Sequence, residues 1–125
     1  MDRQSLSGME KKASLSWLLA FYGEMLTENQ REMARLSWEE DFSLSEIAAQ
    51  FSVSRQSVFD TLNRTEKQLE AWEDKLGLLR RFQAAESGLN ALREEIQKII
   101  PSEETRPHWQ NAIKWIEALL DQEEK

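Results

Sequence analysis

Apolar residues along this chain recur at steps of three and four, and no segment alternates with a period of two. That is the signature of amphipathic helices, and the pattern predicts an all-α protein. Ser14 is placed to cap a first helix carrying Leu15, Leu18, Leu19, Tyr22 and Leu26. Thr27 caps a second, with Met33, Leu36 and Trp38 inward and an acidic end at Glu39, Glu40 and Asp41. Ser43, followed three residues later by Glu46, reads as a capping box opening Leu44 to Phe51, and Ser54 caps the helix after it. From Val58 the positions Val58, Leu62, Thr65, Leu69, Trp72, Leu76 and Leu79 step by four and three. This heptad seam predicts one long helix to about Phe82, partnered within the chain or by a second subunit. Gly77 inside it marks a bend or a close helix contact. A further helix over 87 to 100, with Leu89, Leu92, Ile96, Ile99 and Ile100 on one inner face, ends before Pro101, and a last one has Pro107 in its first turn and Trp109, Ile113, Ile116, Leu119 and Leu120 inward. The expected organisation is a loose tail over 1–12, a helical domain over 13–84 and a helical extension over 85–125 that packs or dimerises.

The stretch from Leu44 to Asn63 fits a helix-turn-helix. Ile47, Ala48 and Phe51 supply the first helix's inner face, Val53 an apolar plug in the turn, and Val58 and Leu62 the returning face. Ser52 stands where the turn calls for a positive φ, which favours glycine or asparagine. On this template the outward face of the second helix offers Ser54, Arg55, Gln56, Phe59, Asn63 and Arg64 to a nucleic acid. Arginine can read guanine, glutamine and asparagine adenine, and phenylalanine a thymine methyl.

Charge changes that picture. The 125 residues carry 23 acidic and 16 basic side chains, a net charge of −7. Residues 27 to 65 hold seven acidic groups against four arginines (Arg31, Arg35, Arg55, Arg64). No segment makes the basic stripe of an electrostatically driven nucleic-acid binder. With three phosphates neutralised, affinity would fall only about 40-fold between 50 and 200 mM salt, from a weak start against an acidic surround.

Other chemistry is thin. There is no cysteine, so thiol nucleophiles and zinc fingers are excluded. His108 is the one histidine, and the carboxylate pairs Glu39-Glu40, Glu94-Glu95 and Glu123-Glu124 are adjacent rather than convergent. No catalytic residue, metal site or cofactor is expected. The longest apolar run, Trp17 to Tyr22, is far short of the ~20 residues of a membrane span. With no signal-peptide core, the expectation is a cytoplasmic protein. Trp17, Trp38, Trp72 and Trp115 suit core or interface packing, and Trp109 is open between packing and contact. The seam and the tryptophans together point to a homodimer.

Several pieces in fixed order then carry a family likeness: "LTENQR" at Leu26 to Arg31, "EEDFSLSEIA" at Glu39 to Ala48, "VSRQSVFD" at Val53 to Asp60 and "RTEKQLEAWEDKL" at Arg64 to Leu76. They resemble the YlxM-like family of small bacterial helix-turn-helix proteins associated with the signal recognition particle, over about residues 14 to 84. The helix-turn-helix alone is also similar to the fourth region of sigma factors, in the winged-helix-like DNA-binding superfamily. The resemblance implies an all-helical cytoplasmic regulator acting with the particle's GTPase or RNA. It places recognition at Arg55, Gln56, Asn63 and Arg64. The open alternative is a dimeric, sequence-specific transcription regulator. Ser52 departs from the asparagine or glycine more usual in the family turn, and the tryptophan-rich stretch after residue 85 is longer than the family leads one to expect.

Overall fold

A computed structural model describes residues 8–122 as six α-helices: α1 (Gly8–Tyr22), α2 (Glu28–Trp38), α3 (Leu44–Phe51), α4 (Arg55–Leu76), α5 (Leu78–Gln97) and α6 (Arg106–Gln122), with a 3-10 turn at Gly23–Met25. No strand occurs among the described residues. The chain divides into two compact units between Leu79 and Arg80.

In the first unit α4 contacts each of α1, α2 and α3. Its buried side chains Val58, Leu62, Thr65 and Leu69 are the first four positions of the predicted seam. They meet Leu15, Leu18 and Tyr22 of α1, Met33, Ala34 and Leu36 of α2 and Ile47 of α3 in one core. The partner for this part of the seam therefore lies within the chain. Thr65 is fully buried, and its hydroxyl donates to the Thr61 carbonyl oxygen at 2.7 Å, which satisfies it without a second helix.

The caps follow local chemistry. Thr27 and Gln30 form one capping box and Ser43 and Glu46 another, each hydroxyl accepting from the third helical N–H. Helix α1, however, starts at Gly8 rather than at Ser14. Of the expected tail, residues 8–12 are helical and 1–7 lie outside the described residues. Lys11 reaches Glu66 at 3.5 Å and Lys12 reaches Asp41 at 2.5 Å, contacts that a helical start makes and a local pattern cannot foretell.

The long helix is shorter than predicted. It ends at Leu76, where Gly77 adopts φ 62° and donates its N–H to the Glu73 carbonyl oxygen at 2.8 Å. That left-handed residue suits glycine and closes the helix. Helix α5 begins at once with Leu78, nine residues before its expected start. Side chains from two other helices cap it. The Tyr22 hydroxyl accepts from Leu78 N–H at 3.1 Å, and Glu73 Oε1 accepts from Leu79 N–H at 3.0 Å. Tyr22 in turn donates to Glu73 Oε1 at 2.6 Å. This knot, joining residues 51 apart in sequence, caps the first turn of α5. Leu76, expected in the seam, is correspondingly 48 % exposed.

The second unit comprises α5 from Arg80 onward and α6. Ser102 and Thr105 exchange hydrogen bonds in the connecting turn, Ser102 N–H to Thr105 Oγ1 at 3.0 Å and Thr105 N–H to Ser102 Oγ at 3.2 Å. Trp109 is half-buried and donates from Nε1 to the Ile96 carbonyl oxygen at 2.9 Å, tying the start of α6 to the end of α5. Ile116 is buried. Several residues assigned to inner faces are not: Ile100 is almost wholly exposed, and Leu92, Ile99 and Leu119 are exposed. The tryptophan expectation holds for Trp38, which is buried, and for Trp72, half-buried with its ring 6.4 Å from that of Tyr22. Trp115 is exposed instead, and Trp17 lies 6.5 Å from Phe21 on an outer flank.

Candidate nucleic-acid interface

The helix-turn-helix is α3 and the first half of α4. Ser52 ends α3 in the left-handed region, φ 55° and ψ 45°, as its position in the template requires. The Val53 N–H bonds to the Ala48 carbonyl oxygen at 3.0 Å and the Ser52 N–H to that of Ala49 at 3.4 Å. Those two bonds make a Schellman closure, which re-aims the chain within two residues. Val53 is held there by its backbone. Its side chain is 41 % exposed, so the turn has no buried plug at that position; the closure needs none.

Ser54 then caps α4, its hydroxyl accepting from Ser57 N–H at 3.0 Å. The cap aims the uncancelled N–H groups and positive dipole end of α4 outward beside Arg55. All six nominated residues lie on the solvent side: Ser54, Arg55, Gln56, Asn63 and Arg64 are exposed, and Phe59 is exposed though large and apolar. The opposite side of the helix is the core, so nothing within the first unit competes for this face.

One residue that sequence reasoning passed over alters it. Asp60 lies four residues after Gln56, and Gln56 Nε2 donates to Asp60 Oδ1 at 3.0 Å. The amide is thus partly engaged, and a carboxylate sits in the middle of the recognition row formed by Gln56, Asp60, Asn63 and Lys67. The i,i+4 spacing of Gln56 and Asp60 is the signal that could have revealed it. Arg64 leans on Thr61, Nη2 to Oγ1 at 3.4 Å.

Arg35 bridges Glu32 at 2.6 Å and Glu40 at 3.3 Å. The hydrogen bond from Arg35 holds the Glu32 carboxyl below its ordinary value, and Glu32 raises Arg35 in return. Glu46 is likewise held low by the Ser43 backbone N–H and then by the Ser43 hydroxyl. The exposed carboxylates Glu39, Glu40 and Asp41 border the turn before α3.

Elsewhere in the first unit a cavity of about 120 Å³ is lined by Lys11, Ser14, Leu15, Leu18, Glu70, Glu73 and Leu79. Glu73 of the capping knot is in its wall, and no histidine lines it. Among the described residues no three histidine or carboxylate groups converge as a metal site, and no helix is long and apolar enough to cross a membrane.

A short three-helix support, a Schellman turn and a Ser-capped outward helix define an all-α helix-turn-helix protein. The family model described as "Putative helix-turn-helix protein, YlxM / p13 like" (UPF0122) matches residues 9–107, and the chain belongs to that family. It is 44 % identical over 96 residues to a UPF0122 protein of Halalkalibacterium halodurans, covering 77 % of this chain and 88 % of that one. It is 43 % identical over 86 residues to the UPF0122 protein YlxM of Bacillus subtilis, covering 69 % and 78 %. A UPF0122 protein of Bacillus thuringiensis aligns over 111 residues at 39 % identity, 89 % of this chain and 98 % of the relative. The family match therefore extends past the helix-turn-helix, through α5 to the start of α6.

Proposed function

We propose that this protein is a regulatory, non-enzymatic binding protein that uses the outer face of α4 to engage a component of the signal recognition particle pathway. The component is the particle's GTPase, or its RNA once neutralised by that GTPase, taken in preference to free duplex DNA. The observation that carries the reading is Asp60. A carboxylate centred on the recognition row and bonded to Gln56 opposes a helix lying between two phosphate backbones, and the net charge of −7 adds to the opposition. A basic protein surface, or an RNA already neutralised by its protein, meets no such penalty. The pathway itself comes from the family resemblance, and the cytoplasm is the compartment it requires.

The experiment is an anisotropy titration at about 50 and 200 mM salt against duplex DNA, the particle's small RNA, and that RNA with its GTPase bound. Binding of the RNA with its GTPase bound, with duplex ignored and the free RNA bound more weakly, is the expected outcome. Absence of any interaction with RNA, GTPase or complex would remove the proposal.

One feature favours sequence-specific DNA recognition as a second reading. Arg55 and Asn63 are exposed at the capped end and centre of α4, where a major-groove helix reads bases. On that reading Arg55→Ala costs about 1 to 3 kcal/mol at one base position. Salt-sensitive duplex binding that vanishes in Arg55→Ala would put this reading first.

A further inference from the structure

The second unit carries a heptad pattern of its own. Phe82, Ala85, Leu89, Leu92, Ile96 and Ile99 step by three, four, three, four and three along α5 and its final turn. The two sides of this row differ. Phe82, Leu89 and Ile96 are half-buried, whereas Ala85 is exposed, Leu92 is 48 % exposed and Ile99 57 %. Apolar side chains repeating every seventh residue, open to water, form a stripe about 20 Å long with no covering element among the described residues.

Beside that stripe lies Gly88. A Cβ built on it meets no heavy atom within 4 Å, so nothing in the unit requires glycine there. Glycine in a helix interior nonetheless costs about 1 kcal/mol relative to alanine. Arg81 and Glu95 stand seven residues before and seven after Gly88, on the same edge of the stripe, and both are exposed.

We infer that this face of α5 is an interface with a second copy of the chain, aligned antiparallel about a two-fold axis near Gly88. The symmetry follows from the charges. In an antiparallel pair centred on residue 88, Arg81 of each copy falls level with Glu95 of the other, giving two ion pairs. A parallel pair would set Arg81 level with Arg81 and Glu95 level with Glu95. The apolar positions pair about residue 87, one position and about 1.5 Å from that centre: there Ala85 falls level with Leu89, and Phe82 with Leu92, of the other copy. The missing side chain at Gly88 lets the two helices approach at their crossing. This interface is distinct from the α4 face and does not depend on what that face binds.

The intact chain, 14.7 kDa, is examined by sedimentation equilibrium, with circular dichroism confirming that each variant is folded. A mass of two chains is expected for the natural sequence. Leu92→Glu and Gly88→Leu alter positions open to solvent, so they are expected to sediment as folded single chains. Arg81→Glu alone and Glu95→Arg alone are each expected to weaken the dimer about 10-fold, from two symmetric pairs turned repulsive. The charge-swapped double variant R81E/E95R restores association to within a few-fold, because each pair is re-formed between copies. A single-chain mass at every concentration overturns the proposal. So does a dimer indifferent to Leu92→Glu, which would place the contact elsewhere. Failure of the double variant to recover association overturns the antiparallel register.

Discussion

Removing one oxygen atom tests whether the first turn of α5 is capped as described. Tyr22→Phe keeps the ring, and with it the contact to Trp72, but deletes the hydroxyl that donates to Glu73 Oε1 at 2.6 Å and accepts from Leu78 N–H at 3.1 Å. Tyr22 is 1 % exposed, so water does not replace the hydroxyl at its own site. A hydrogen bond to a charged group contributes about 1.5–3 kcal/mol, and an orphaned N–H costs a further amount up to that of a lost neutral bond. Leu78 is 42 % exposed, which lets water recover part of the second term. The expected loss is about 2–3 kcal/mol, or roughly 6–12 °C in Tm for a chain of this size. Urea unfolding followed by circular dichroism measures it, with Glu73→Gln as companion. Gln retains an acceptor at Oε1 for Leu79 N–H and Tyr22, so it should cost only about 1 kcal/mol. A loss below about 0.5 kcal/mol for Tyr22→Phe would refute the assignment of this cap to the Tyr22–Glu73 knot.

Further predictions follow from the same structure. Ser52→Gly relieves a left-handed residue and should stabilise the protein by about 0.5–1 kcal/mol, whereas Ser52→Val should destabilise it by about 1–2 kcal/mol; urea midpoints decide both. Leu69→Ala, at a fully buried position, should cost about 3 kcal/mol, and Leu76→Ala, beyond the effective end of the seam, less than about 1. Equal costs would mean that the seam continues to Leu76. Because the folded-state value of Glu46 is depressed, its capping contribution is fully present above the ordinary glutamate value of 4.5 and is lost as pH falls through the lowered value. Stability against pH for the natural sequence and Glu46→Gln should therefore converge in acid and separate above about pH 5; a constant difference would contradict the capping role.

The sites of failure in the sequence reading share a cause. Helix type and most capping were local matters. Ser43 with Glu46, Thr27 and Ser54 act within three residues of themselves, and the Ser52 turn was legible from the template. The inward set of α4 up to Leu69 was equally plain, since one helical face must leave water. The nominated face of α4 was legible for the complementary reason: whatever does not enter the core stays outside. Its one hidden member, Asp60, needed a side-chain pair rather than a pattern.

What the amino-acid order determined by itself was thus the class of the elements, their caps and the inward face of the helix-turn-helix, because propensity, capping and burial of one stripe operate over a turn or two of helix. Tertiary structure alone decided where the elements stopped. The heptad rhythm runs on past Gly77, but α4 does not, because that glycine turns left-handed and Tyr22, from α1, joins Glu73 in capping the helix that follows. The early start of α1 likewise brings Lys11 and Lys12 to carboxylates on other segments of the folded unit. Boundaries of this kind depend on groups tens of residues away, and no local period encodes them.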